Sequence, residues 1–269
     1  MPFVDARGLS FHYEVRGSGP RVLLLGGSGG DLRKKPGLLD SPLPERFEVL
    51  CHDQRGLGQT SRPDVPYAMA DYAEDAAALL DALEWGPCHV MGVSFGGMVA
   101  QEFAIRFPER VKRLVLACTS SGGAGRPSYP LHELSGLPPG ERATRGIELS
   151  DTRMDAAWRA THPGALERIL AMMGPSNDPG AGEPGREAGA RRQLEARRTH
   201  DVWDRLPDVT APTLCCAGRY DGIAPLANME AIASRIPDAE LQVFDGGHLF
   251  LVQDPEAWPA IVSFLEGTD

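Results

Sequence analysis

The chain has 269 residues, 42% of them hydrophobic, enough for one large α/β domain with a well-buried core. Its formal charge of -10 and pI near 5.2 disfavour nucleic acid or an anionic membrane as partner, because both select clustered positive charge. No signal-peptide core stands at the N-terminus and no run approaches the ~20 apolar residues of a membrane span, so the expectation is a cytoplasmic protein acting on a small organic molecule.

In chain order, short apolar runs predict strands at 9–15, 22–25, 47–51, 88–91, 113–117, 213–217 and 241–244. Helical patterns fall between them at 70–83, 95–107, 225–236 and 255–265. Strand and helix alternate, which predicts an α/β fold: a mostly parallel sheet with helices on both faces. The interval 119–208 breaks the rhythm, with helical candidates at 155–160, 165–173 and 188–198 and no convincing strand. We therefore expect a core made of 1–118 and 209–269, and a helical lid inserted at 119–208 over the C-terminal ends of the strands. The Gly/Pro tract 174–185 cannot be regular structure and has few side chains able to pack, so it should be the loosest part of that lid. Five cysteines form an odd set without metal-ligand spacing, and they read as buried free thiols of a reducing compartment.

Chemistry enters at Gly92-Val93-Ser94-Phe95-Gly96-Gly97, between a strand and a helix. A serine at the apex of so sharp a turn is exposed for attack, and glycine two residues to either side permits close helix–strand approach. Its hydroxyl is a weak nucleophile alone and needs a base, an orienting acid and donors for an oxyanion. His248, in Asp245-Gly246-Gly247-His248 after the last strand, is the expected base. Asp221, in the loop after the preceding strand, is the expected acid, with Asp245 as competitor; Asp245 lies only three residues before His248 and suits a turn-shaping role. The oxyanion donors are expected to be the N–H groups of Phe95, at the start of the helix, and of Ser28, in Gly26-Gly27-Ser28-Gly29-Gly30. That glycine run lacks the Lys-Ser/Thr ending of a P-loop and the spacing of a dinucleotide loop, which disfavours a nucleotide.

With these parts the sequence resembles the α/β-hydrolase superfamily over nearly the whole chain outside the lid. The resemblance is carried by the serine turn, by Asp53-Gln54-Arg55-Gly56-Leu57-Gly58, by Phe107-Pro108-Glu109-Arg110-Val111, by Gly218-Arg219-Tyr220-Asp221 and by Gly247-His248. It implies a structural turn at 53–63, with no chemistry for His52, Asp53 or Arg55. Within the superfamily the chain is similar to small lidded esterases and lactonases of the 3-oxoadipate enol-lactonase and cofactor-free haloperoxidase kind. The implied activity is hydrolysis of a carboxylic ester or lactone, with neither a metal nor an organic cofactor. Gly26-Gly27 stands where that family often has His-Gly. The Gly-Ser-Gly of the loop also resembles carbon–carbon bond hydrolases, but Val93 replaces the asparagine usual before their serine. Serine as nucleophile, where dehalogenases and epoxide hydrolases have aspartate, sets those activities aside. A perhydrolase, or a slow-turnover ligand-binding protein on the same fold, stays open.

Gly27, Trp158, His200, Trp203 and Leu249 are candidate pocket residues, His200 because the resemblance places pocket-facing residues where the lid returns to the core. Met154, Leu170, Met172 and Met173 read mainly as helix core. The pairs Arg191-Arg192 and Arg197-Arg198 read as a solvated helix face.

Overall fold

A computed structural model describes residues 2–165, 167–169 and 179–267. Eight strands form one sheet in the order β1-β2-β4-β3-β5-β6-β7-β8. They are β1 (Phe3–Ala6), β2 (Leu9–Arg16), β3 (Arg21–Leu25), β4 (Glu48–His52), β5 (Cys88–Val93), β6 (Val111–Ala117), β7 (Thr213–Gly218) and β8 (Glu240–Phe244). From β4 through β8 the strands are parallel, and β2 runs antiparallel to both β1 and β4. The mostly parallel sheet is that expected from the sequence, and every expected strand is present. β1 is additional. Four residues long and alternately exposed and half-buried, it carries too little apolar signal to be read alone.

Helices α1 (Met69–Ala82), α2 (Phe95–Arg106) and, on the same face, the helix Leu226–Arg235 cover one side of the sheet; Ala257–Glu266 covers the other. Leu23, Val90, Leu116 and Cys215 point to the first side and pack with Tyr72, Phe95, Phe103 and Met229. Leu24, Met91, Val115 and Cys216 point to the second, with Phe250, Ile261 and Leu265. Adjacent Cys215 and Cys216 thus serve opposite cores, as the period of a strand requires. All five cysteines are free and buried.

Between β6 and β7 lie α3 (Pro139–Ser150), α4 (Ala156–Thr161) and α5 (Arg186–Arg198). α3 was not expected: Gly140, Gly146 and the prolines that open it mask its period, although proline is at home in a first turn. Residues 170–178, including Leu170, Met172 and Met173, lie outside the described residues. The described remainder of the Gly/Pro tract, 179–185, is fastened to the core by charge. Glu183 accepts from Arg33 at 2.5 Å and from Arg62 at 2.6 Å, and Arg186 reaches Asp31 at 3.0 Å. These charged contacts lie outside the apolar-packing argument made from the sequence. Among the described residues no helix is long and apolar enough to cross a membrane.

Candidate active site

Ser94 joins β5 to α2 with φ +56° and ψ -116°, a conformation unfavourable for a residue with a Cβ. Its own N–H is held by the Ala117 carbonyl at 2.8 Å. The flanking glycines are sterically required. A Cβ on Gly92 would enter the backbone of Gly96 and Gly97, and one on Gly96 would enter the carbonyls of Leu25 and Gly26.

His248 and Asp221 reach Ser94 from the loops after β8 and β7. His248 Nε2 lies 2.9 Å from Ser94 Oγ, and His248 Nδ1 lies 2.7 Å from Asp221 Oδ2. A carboxylate at Nδ1 keeps the proton there and leaves Nε2 as acceptor for the hydroxyl proton. Asp221 is itself held by the N–H groups of Ile223 and Ala224, which donate to Oδ1 at 2.7 and 2.8 Å. The carboxylate is buried, while the imidazole retains 13% exposure. Asp245 lies elsewhere: its side chain is 71% exposed and meets Arg153 at 3.4 Å.

The glycine loop after β3 closes on the serine. Gly27 abuts Ser94, so that a Cβ there would stand 3.5 Å from the Ser94 Cβ. The loop is braced from three sides: Gln54 Nε2 donates to the Gly26 carbonyl at 2.7 Å, Gly29 N donates to Gln193 Oε1 at 2.9 Å, and Leu32 N donates to Asp53 Oδ1 at 2.8 Å. Phe95 N belongs to the first turn of α2, ahead of the Gly97 and Met98 N–H groups that bond the Ser94 carbonyl. Asp53 also takes the Gln59 N–H and faces His12 Nδ1, both at 2.9 Å, and Arg55 pairs with Asp75 at 2.5 Å. These contacts give 53–63 a fastening role beneath the site. Burial pushes the His52 imidazole down to about 4, which keeps it neutral.

Cys118 was not anticipated. It sits at φ +43° just after β6, with a ligand atom within 4.8 Å of those of Asp221 and His248. This is the only grouping of its kind among the described residues. Burial, and then the Asp221 charge, push the thiol well above its ordinary range, so it stays protonated, while Asp221 and His248 engage each other. Its signal in the sequence is only its place directly after an apolar strand.

The remaining pocket candidates separate. His200 is buried with its ring against the Ser120 backbone, and burial pushes it down to about 4. Leu249 is 53% exposed beside His248. Trp158 stacks on His162 at 4.7 Å within its own helical region, and Trp203 lies against Gly125 and under Arg235. None of the described contacts of these two tryptophans is with the Ser94 cluster. Arg191 and Arg198 are exposed as expected, but Arg197 is buried. Gly189, Gln193, Ala196, Arg197 and His200 follow a helical period and face inward together, a pattern hidden in the sequence by their polarity.

Comparison with known proteins agrees with this architecture. Residues 20–138 match the family described as alpha/beta hydrolase fold. A poly(3-hydroxyalkanoate) depolymerase of Ectopseudomonas oleovorans is 33% identical, the alignment spanning 98% of this chain and 91% of the depolymerase. A hydrolase from Pseudomonas aeruginosa PA01 superposes with a TM-score of 0.77 at 30% identity, covering 99% of this chain and 98% of that one. The enol-lactonase from Burkholderia xenovorans LB400 gives a TM-score of 0.78 at 22% identity over 99% and 100% of the two chains, a likeness of fold. The chain belongs to the α/β-hydrolase family. Membership and the names of these relatives support a hydrolase.

Proposed function

We propose that the protein is a serine hydrolase that cleaves a carboxylic ester or lactone of a small organic substrate through an acyl-enzyme. The observation that carries this is the hydrogen-bonded line from Asp221 through His248 to Ser94 at the mouth of a helix N-terminus. Ser94 Oγ attacks the carbonyl carbon as its proton passes to His248 Nε2, and Asp221 stabilises the resulting imidazolium. Phe95 N–H and Ser28 N–H receive the oxyanion. Collapse breaks the ester C–O bond, and the leaving oxygen takes the proton from His248. Water, deprotonated by the same imidazole, then attacks the acyl carbon and frees Ser94. The segment 119–208 acts as the lid, with Gly27, His200 and Leu249 bordering the substrate.

An ester is favoured over a carbon–carbon bond by Val93 before the nucleophile and by the depolymerase relative, named for a polymer joined by ester bonds. The test is initial-rate hydrolysis of p-nitrophenyl esters together with fluorophosphonate labelling. Ser94→Ala is expected to abolish labelling and lower turnover on the order of a thousandfold or more while leaving thermal unfolding unchanged. Labelling or near-wild-type turnover in that variant would move the nucleophile elsewhere.

A further inference from the structure

We propose that Gln193, on the last helix of the inserted segment, is a positioning residue for the chemical step: it holds the glycine loop that carries the Ser28 N–H, so that the insertion acts on the rate of the reaction and not on binding alone. What the loop does is taken from the serine-hydrolase reading; that Gln193 holds it is not.

Gln193 is fully buried, and its Oε1 accepts the Gly29 N–H at 2.9 Å. That N–H can only donate, so only the oxygen end of the amide can serve it. The other end, Nε2, is buried without a partner among the described residues. A buried amide with one bond made and its donors unused contributes little net stability, and leucine or methionine would suit the same inward position on a helix better. What the amide accomplishes is to hold Gly29. Its reach is set one turn earlier, about 6 Å along α5. There Gly189 rests on Gly56, and a Cβ on Gly189 would stand 2.0 Å from the Gly56 carbonyl oxygen. No side chain separates helix from turn at that point, so α5 sits at a fixed height over 53–63.

The rest of the loop is held from the core: Gln54 at the Gly26 carbonyl, Asp53 at the Leu32 N–H and Lys34 Nζ at the Gly29 carbonyl, at 2.7, 2.8 and 3.2 Å. Of these braces Gln193 alone comes from the insertion, and it acts where the loop can change shape. Gly30 N–H meets the Gly27 carbonyl at 3.3 Å and Gly29 has φ +68°, which makes 27–30 a turn with its left-handed residue third. In such a turn the peptide joining Ser28 to Gly29 is the one that swings over when the turn changes type. Its N–H is the group that Gln193 holds. Released, that peptide would redraw the stretch between Gly27, which abuts Ser94, and Gly30. An oxyanion donor is effective only when it is fixed before the charge develops, so a loose Ser28 N–H would slow the chemical step and leave substrate binding in place.

The test begins with kcat and KM on a p-nitrophenyl ester. Gln193→Met keeps the length without the acceptor, Gln193→Asn withdraws the amide by one carbon, and Gln193→Glu keeps the acceptor. The first two are expected to lower kcat by about 10- to 100-fold, less than the loss of a whole oxyanion donor, with KM within about twofold; Gln193→Glu should recover most of the rate. A trifluoromethyl ketone, whose carbonyl carbon takes the Ser94 oxygen while His248 takes its proton, presents an anionic oxygen to the same donors. Its inhibition constant should rise by the factor that kcat falls, and that of the matched methyl ketone should not. Gly189→Ala, which lifts α5 from its seat, should give the same pattern, and added to Gln193→Met it should cost little more, because both break one contact. Unchanged kcat and trifluoromethyl ketone inhibition in Gln193→Met and Gln193→Asn, or a rise in KM alone, overturns the positioning role. If one of the two does not fold, the other decides. Amide hydrogen exchange needs no turnover: Gly29 should exchange faster in Gln193→Met while β3 and β5 keep their protection. That result in a protein that neither hydrolyses esters nor takes up a fluorophosphonate would overturn the hydrolase reading and leave the tether standing; unchanged exchange at Gly29 would overturn the tether.

Discussion

At the residue scale, the proposed chemistry hangs on which carboxylate serves His248. Asp221 is buried and fixed by two backbone N–H groups, whereas Asp245 is exposed to water. Asp221→Asn is expected to lower kcat by about 10⁴, the loss seen when a triad histidine is left in the wrong tautomer. Asp245→Asn should stay within about twofold, because an exposed ion pair contributes little. Initial rates on one p-nitrophenyl ester distinguish the two, and reversed severities would transfer the role. Gly96→Ala makes a steric prediction. Its Cβ would enter the Leu25 and Gly26 carbonyls, so the loop before Ser28 must move, at about 1–3 kcal/mol in urea unfolding. Unchanged stability would mean that the turn has slack. The serine turn was legible because steric demand writes glycine into the sequence at fixed offsets. Arg197 was not, because an arginine facing inward has the same letter as one facing water.

At the element scale, α5 is joined to the core by Gln193 on the glycine loop and, just before its start, by the Glu183 pairs with Arg33 and Arg62. Glu183 is 31% exposed, so Glu183→Gln should change global stability by less than about 1 kcal/mol. Local opening is different, since those pairs, with Arg62 on the Pro184 carbonyl and Arg186 on Asp31, fasten the start of this stretch. Amide hydrogen exchange over 183–198 should accelerate in the variant while the strands keep their protection. Uniform exchange across both would show that the pairs are incidental. The strands and most helices were legible because parallel strands covered on both faces are continuously apolar. β1 and α3 were not: one is too short for a period, and glycine and proline interrupt the other. The tethering of 179–185 was hidden for a related reason, since its charged partners lie about 120 to 150 residues away in sequence.

At the scale of the whole molecule, buried imidazoles should make the fold acid-sensitive before its carboxylates do. His52 and His200 are both lowered from 6.5 to about 4, first by burial. The unfolded chain therefore takes up protons from about pH 6.5 downward while the folded chain resists until about pH 4. Stability is complete above the unfolded value and falls across that window, by on the order of a few kcal/mol per group. Asp31 and Glu183 extend the loss. Burial alone would raise Asp31, but hydrogen bonds from Arg33 and Arg186 hold it at about 2; bonds from Arg33, then Arg62, hold Glu183 at about 2. Their contribution is present above pH 4 and lost as pH falls toward 2. Thermal unfolding followed from pH 8 to 3 should show Tm declining from about 6.5, and His52→Gln should flatten the first part of the decline. A Tm flat to pH 4.5 would mean that the imidazoles titrate alike in both states.

The insertion leaves the sheet after β6 and returns to it at β7, and those two strands are hydrogen-bonded neighbours. Its two ends therefore meet at one seam, and the sheet on either side needs nothing from it to keep pairing. In engineering terms the molecule is a chassis with an exchangeable fitting. A segment borrowed from another α/β-hydrolase could be spliced in at 118 and 209 without redrawing the strand order. The exchange would carry obligations at the seam: an acceptor for the Gly29 N–H, counter-charges for Asp31, Arg33, Arg62 and buried Glu102, and partners for Gln101, Asn228, Gln253 and the backbone groups that now meet Ser150 and Leu149. Under the proposed function, selectivity is then inherited or replaced as a unit, while the Ser94, His248 and Asp221 cluster stays where it is.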